Sequence, residues 1–137
     1  MQAMIQTVPV SSKARWAGYT LSGLVVLFLV FDGVIKLVPL AVVTDSMAEL
    51  GYSASGNLAR GLGALTLVCA LLYAIPRTSV LGAILLTGLL GGAIATHLRV
   101  DSPIFSHMLF GLYLGLMAWG GLYLRDERLR ALIPLRR

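Results

Sequence analysis

Residues Trp16–Val38 read WAGYTLSGLVVLFLVFDGVIKLV, with charge only at Asp32 and Lys36 near the far end. A helix rises ~1.5 Å per residue and the hydrocarbon core of a bilayer is ~30 Å thick, so about 20 apolar residues make one crossing. Three more runs of comparable length follow, at Asn57–Ile75, Ser79–Thr96 and Pro103–Leu124. The pattern predicts an all-α, polytopic membrane protein. Its four transmembrane helices, at about 16–38, 57–75, 79–96 and 103–124, form an antiparallel bundle with tails at 1–15 and 125–137.

Composition points to the same class. The chain has 137 residues, room for a single domain, and 58% of them are hydrophobic against 12% charged. A mean hydropathy of +0.86 is out of place in a water-soluble protein of this size. The net charge of +5 does not mark a nucleic-acid surface. Eight of the eleven basic residues (Lys13, Arg15, Arg77, Arg125, Arg128, Arg130, Arg136 and Arg137) lie in short segments flanking the apolar runs. That placement is a topology signal, and no nucleic acid is expected among the partners. The single Cys69 excludes a disulfide within the chain and any Cys-x-x-Cys redox pair. Between Val68 and Ala70 it reads as a small buried hydrophobe. The first run starts after fifteen polar or mixed residues and lacks an Ala-x-Ala exit, so it is expected to be a retained span rather than a cleaved leader.

The connections carry their own signals. Trp16 and Tyr19 follow Lys13 and Arg15, as at the edge of a first span, which then runs on to Pro39. In the longest connection, 40–56, Ser46 precedes Glu49 by three residues and Gly51 follows, a capping-box pattern that predicts a short interfacial helical turn. Pro76-Arg77-Thr78 is a tight hairpin between the second and third spans, with Thr78 or Ser79 as the cap of the next helix. Ser102-Pro103 reads as N-cap and first helical residue of the fourth span, which puts His107 in its first turns. That helix is expected to continue through Arg125–Arg130 and to stop at Pro134. With alternating crossings, both termini and Arg77 share one side, leaving Lys36, Arg60 and Arg99 on the other. The positive-inside rule then places both termini in the cytoplasm and the protein in the inner (plasma) membrane. For packing, Gly88 and Gly92 form a Gly-x-x-x-Gly on the third span, and Gly111 and Gly115 another on the fourth, extended by Ala118.

Ionisable residues gather at the end opposite the termini: Asp32, Lys36, Arg60, His97, Arg99 and His107. Asp32 lies about 24 Å along the first helix, deep enough that its charge needs a partner. Lys36, one turn on, and Arg60, from the antiparallel second span, are the two candidates. The cluster reads either as structural ion pairs with snorkelling cations, or as a pocket for a polar ligand head. His97 and His107 suit proton exchange, a hydrogen bond to a quinone carbonyl, or ligation of a metal or haem. Asp101 is the only nearby oxygen ligand, so no metal is expected. Phosphate-loop, nucleophile-elbow and His-Glu-x-x-His motifs do not occur, and the residues assign no reaction.

Several stretches together resemble the DoxX-like family of small bacterial membrane proteins. They are Asp32-Gly33-Val34-Ile35-Lys36-Leu37, Arg60-Gly61-Leu62-Gly63-Ala64-Leu65, Leu71–Thr78, Gly91–Arg99 and Leu122–Asp126. The resemblance covers roughly residues 18–130 and implies a four-helix membrane bundle. Relatives in the wider superfamily imply roles of different classes: a quinone-reducing oxidoreductase subunit, a component of an oxidative-stress complex, and receptor-assembly chaperones. Many members carry an acid in the second helix where this chain has Thr66, so no proton relay is expected there; the hydroxyl is expected to return to its own helix.

Three functions follow as expectations. The first is an accessory subunit of a membrane redox or oxidative-stress complex, binding quinone near the outer face and taking electrons from a partner oxidoreductase. The second is a non-enzymatic assembly factor or scaffold, or a homo-oligomer, docking through glycine-lined faces. The third, a small transporter, fits least, because Asp32 lies near a helix end beside a lysine.

Overall fold

The computed structural model describes residues 9–38, 40–53 and 56–135. The expectations for the first eight residues, for Pro39 and for Arg136 and Arg137 lie outside the described residues. Helix α1 spans Ser12–Leu37, α2 Ala41–Glu49, α3 Asn57–Ala74 and α4 Ser79–Arg99. A π-helical turn, Ile104–Met108, leads into α5, Phe110–Arg125, and α6 covers Glu127–Leu132. All described regular structure is helical, and α1, α3, α4 and the π turn with α5 are long and apolar enough to cross a membrane. Such a chain in lipid must satisfy its backbone within each segment, which a helix does.

The spans are apolar all round rather than on one stripe. Only 22–33% of the most apolar window of each span is buried, so their large side chains also cover the outside of the bundle. Leu27, Phe31, Leu71 and Leu116 each stand more than 60% exposed. A surface of that kind belongs in hydrocarbon, not in water.

Helix α1 packs on α3 and α5, and α4 packs on the same two helices, giving an up-down bundle with α1 and α4 diagonally opposed. Its core, around Val25, Leu29, Tyr73, Leu86 and Leu122, includes the fully buried Cys69. Helix α2 docks through Val43 and Met47, which join Ala59, Ile35 and Leu62 in a second, smaller cluster.

Single glycines set the closest approaches. A Cβ at Gly18 would lie 2.6 Å from the Gly121 carbonyl oxygen, and one at Gly63 2.7 Å from that of Gly33. One at Gly82 would fall 2.6 Å from Tyr73 Cα. Of the predicted packing glycines, Gly111 is tight against α4, with Ile94 and the Leu90 carbonyl each 3.1 Å from such a Cβ, whereas Gly115 meets only Leu90 at an ordinary 3.6 Å. Gly88 and Gly92 pack against no neighbouring helix: a Cβ at either meets nothing within 4 Å. Within the chain, the Gly-x-x-x-Gly of the third span is therefore not a packing seam. The seams lie where helices cross, and crossing points follow from tertiary geometry rather than from glycine spacing.

Sequence signals at three helix ends resolve differently. Helix α2 starts earlier than the capping box implies, at Ala41, with Leu40 as its N-cap. Ser46 is consequently internal, and its hydroxyl donates back to the Val42 carbonyl at 2.8 Å. Gly51 does end α2, with φ of +86°, and the backbone bonds Tyr52 N to Met47 O and Gly51 N to Ala48 O complete a Schellman motif. Asp101, with φ of +52°, closes α4 in the same way: Ser102 N bonds His97 O and Asp101 N bonds Leu98 O. Ser102 thus belongs to the end of α4 and does not cap the next helix. At the other end, α5 stops at Arg125, where Asp126 accepts from the backbone N–H of Arg128 and Leu129 to cap α6.

The end that holds the termini is latched by a buried polar network. The Tyr73 hydroxyl, fully enclosed, donates to the Ala118 carbonyl at 2.7 Å and lies 2.8 Å from Ser22 Oγ. Arg125 Nε reaches the same serine at 3.3 Å, and its guanidinium stands over the Tyr19 ring. Helices α1, α3 and α5 are joined there through one phenol.

Candidate functional site

At the opposite end the helices enclose a cleft of about 1050 Å3. Its mouth carries Asp32 and Lys36 from α1, Glu49 from α2, His97 from α4, and Asp101, Ser102 and His107 from the following connection. Its depth is apolar, with Phe28 and Leu29 of α1, Leu89 and Leu90 of α4, and Phe110 and Leu114 of α5. Phe28 and Phe110 lie against each other with ring centroids 5.1 Å apart. The cleft follows α4 from Val100 down to Gly88, a depth of about 18 Å at ~1.5 Å per residue, which ends near the middle of the span.

Gly88 and Gly92, which pack against no neighbour, line this space. Their missing side chains are part of the void. Thr66, on the α3 wall, donates its hydroxyl to the Leu62 carbonyl at 2.8 Å, as expected from the sequence.

Four of the six sequence-predicted residues line the cleft, and two do not. Lys36 donates to Asp32 Oδ2 at 2.6 Å, one helical turn apart and with both side chains about three-quarters buried. The pair brings two opposite charges to the mouth and leaves little net field from them. Arg60 is not the partner of Asp32. It is exposed on α3, bonds Asn57 Oδ1 at 3.4 Å and lies outside the cleft lining, because the face of α3 turned to α1 at this depth carries Gly63. Arg99 is likewise outside the lining; its guanidinium donates to the Leu50 carbonyl at 2.5 Å beside Gly51, tying the end of α4 to the end of α2. It holds the wall of the cleft in place rather than facing a ligand.

His97 and His107 are brought together, with ring centroids 5.9 Å apart and edge to face. The Schellman turn folds Ser102 back over α4, so that its hydroxyl meets His97 Nδ1 at 2.9 Å. His107 Nδ1 has Ser106 Oγ at 2.7 Å. In each ring the Nδ1 is engaged by a serine, which orients the imidazole and leaves Nε2 as the free hydrogen-bonding atom. No group of three or more His, Cys, Asp or Glu in metal-binding geometry occurs among the described residues.

Sequence reasoning missed Ser102 and Glu49 at the mouth, and Ser106 as the partner of His107. The Ser-Pro pair drew Ser102 into a capping role, and only the turn at Asp101 shows which helix the serine serves. Chemically, the arrangement suits an amphipathic guest: a neutral polar head against two oriented imidazoles, with an apolar body along α4 and α5.

Neither a curated protein nor a solved structure matches this chain. The DoxX-like family matches residues 20–121, which run from the first turns of α1 to the last turns of α5 and contain every residue of the cleft. With the match covering all four spans, the chain belongs to the DoxX-like family.

Proposed function

We propose that this protein is an accessory subunit of a membrane redox or oxidative-stress complex and that its cleft binds a quinone-like ligand. The observation that carries the reading is the division of the cleft between a mouth with two serine-oriented histidines and an apolar shaft about 18 Å deep. A quinone needs a donor at each carbonyl it presents and hydrocarbon for its tail; the free Nε2 atoms of His97 and His107 supply the first and the shaft the second. Quinone reduction consumes two electrons and two protons. The electrons come from a partner oxidoreductase, and the histidines exchange protons with water at the mouth. By the charge asymmetry of the connections, the termini lie in the cytoplasm and the cleft opens at the outer face of the inner membrane.

Protein purified in mild detergent with its lipids retained tests this. Mass spectrometry of the extract and an oxidised-minus-reduced spectrum are expected to show bound quinone, lost in His97→Ala and in Gly92→Leu, which fills the shaft. A quinone-free extract from wild-type protein refutes the reading.

A membrane scaffold is the second reading, favoured by one observation. Gly91 is exposed on α4, has no neighbour for a Cβ, and does not line the cleft. It offers a flat face to a partner helix or a second copy. Under this reading Gly91→Leu abolishes recovery of the partner while His97→Ala leaves it intact.

A further inference from the structure

A second cleft, of about 520 Å3, lies at the end of the bundle that holds the termini. Pro76, Arg77 and Val80 of the α3–α4 hairpin form one side, and Asp126, Arg128, Leu129 and Leu132 of the α5–α6 segment form the other. Its two cations are unlike the other described arginines of this end. Arg15 pairs with Glu127 at 3.8 Å, Arg125 bonds Ser22, and Arg130 donates to the carbonyls of Tyr123 and Leu124. Among the described residues, the guanidiniums of Arg77 and Arg128 have no hydrogen bond and no ion pair. The one acid of the cleft, Asp126, is occupied through Oδ1 by the backbone N–H groups that it caps.

The depth of the cleft follows from the chain itself. Arg77 sits in a four-residue connection between two spans, and a single residue, Asp126, separates α6 from the end of the fourth span, so both sides lie at headgroup level. Beside the two cations the lining is apolar, with Val80 37% and Leu132 45% exposed. Two unpaired guanidiniums over an apolar wall at the interface match a phosphodiester with an acyl chain below it.

We propose that Arg77 and Arg128 form a binding site for the phosphodiester of an anionic phospholipid, whose acyl chain lies against Val80 and Leu132. The site is independent of the larger cleft and of what that cleft binds. It fixes α6 to the α3–α4 hairpin through the lipid, because one guanidinium comes from each.

Native mass spectrometry of the full chain in detergent tests this, with dioleoyl phosphatidylglycerol and phosphatidylcholine as probes. Wild-type protein is expected to retain phosphatidylglycerol preferentially. Arg77→Gln and Arg128→Gln are each expected to weaken that retention roughly five- to tenfold. The double variant Lys13→Gln, Arg15→Gln removes two charges from the same end and is expected to change it less than twofold. Both arginines of the site are exposed, so the variants fold; an unchanged melting temperature confirms it. Equal loss in the control, or no loss in either arginine variant, overturns the proposal. Displacement of the lipid by millimolar inorganic phosphate also overturns it, in favour of a soluble phosphate.

Discussion

The opposite behaviour of two sets of glycines on one helix is the sharpest test of the packing described above. Gly82 and Gly92 both lie within α4, and replacing either by alanine improves intrinsic helix propensity by about 1 kcal/mol. The environments differ. At Gly82 the new Cβ would stand 2.6 Å from Tyr73 Cα and 2.8 Å from the Leu72 carbonyl carbon, about 1 Å inside an ordinary carbon contact of 3.5–4.0 Å. Those atoms are backbone and cannot turn aside, so α3 and α4 must separate. A gap of that size forfeits about a quarter to a half of each dispersion contact along the seam, and overpacking of this kind costs about 1–3 kcal/mol. It also strains the neighbouring Tyr73 hydroxyl network. Gly82→Ala is therefore expected to destabilise the bundle by up to about 2 kcal/mol after the propensity gain is subtracted. At Gly92 nothing lies within 4 Å, and Gly92→Ala is expected to stabilise by up to about 1 kcal/mol. Unfolding of each purified variant in mixed detergent micelles, followed by helical circular dichroism against denaturing detergent, measures the difference. If Gly92→Ala loses as much stability as Gly82→Ala, then the third span packs through its Gly-x-x-x-Gly and the account of the seams is wrong.

Three further outcomes follow from particular contacts. Tyr73→Phe is expected to cost about 0.5–2 kcal/mol in the same assay, since interhelical hydrogen bonds in membranes are individually modest while the buried Ser22 hydroxyl would keep only its long 3.3 Å contact from Arg125 Nε; a neutral result would mean that the phenol latch carries no weight. Asp32→Asn is expected to destabilise by about 1–3 kcal/mol by stranding the Lys36 ammonium, and the double variant Asp32→Asn, Lys36→Gln to recover most of that loss. Additive losses in that cycle would show that the two side chains act separately. Arg60→Gln is expected to stay within about 0.5 kcal/mol of wild type and to leave the proposed quinone retention unchanged, because Arg60 is exposed and outside the cleft. Loss of ligand in that variant would return Arg60 to the site.

The sequence alone determined the elements that depend on local chemistry. Four apolar runs of crossing length, a proline-bearing hairpin at 76–78, a glycine ending the short helix at 51 and a burying environment for Cys69 all follow from hydrophobicity, chain length and backbone freedom within a few residues. The identity of the polar end was equally legible, because a charge deep in an apolar run has few tolerated positions. Asp32, Lys36, His97 and His107 were found on that ground, and they do line one cleft.

Tertiary structure decided what depends on rotation and crossing. Whether a residue at a given depth faces the bundle turns on its angle around the helix, and for α3 that angle gives Gly63 to the α1 seam and Arg60 to the outside. Gly88 and Gly92 have the spacing of a packing motif, yet their surroundings depend on where α4 meets its neighbours; the tight contact comes at Gly82, and the later glycines border an open cleft. Ser102 has the sequence of an N-cap, but the left-handed turn at Asp101 carries it back over His97. Periodicity and capping signals act over one or two turns, whereas a cleft is the space left where helices part, and no local rule specifies where that is.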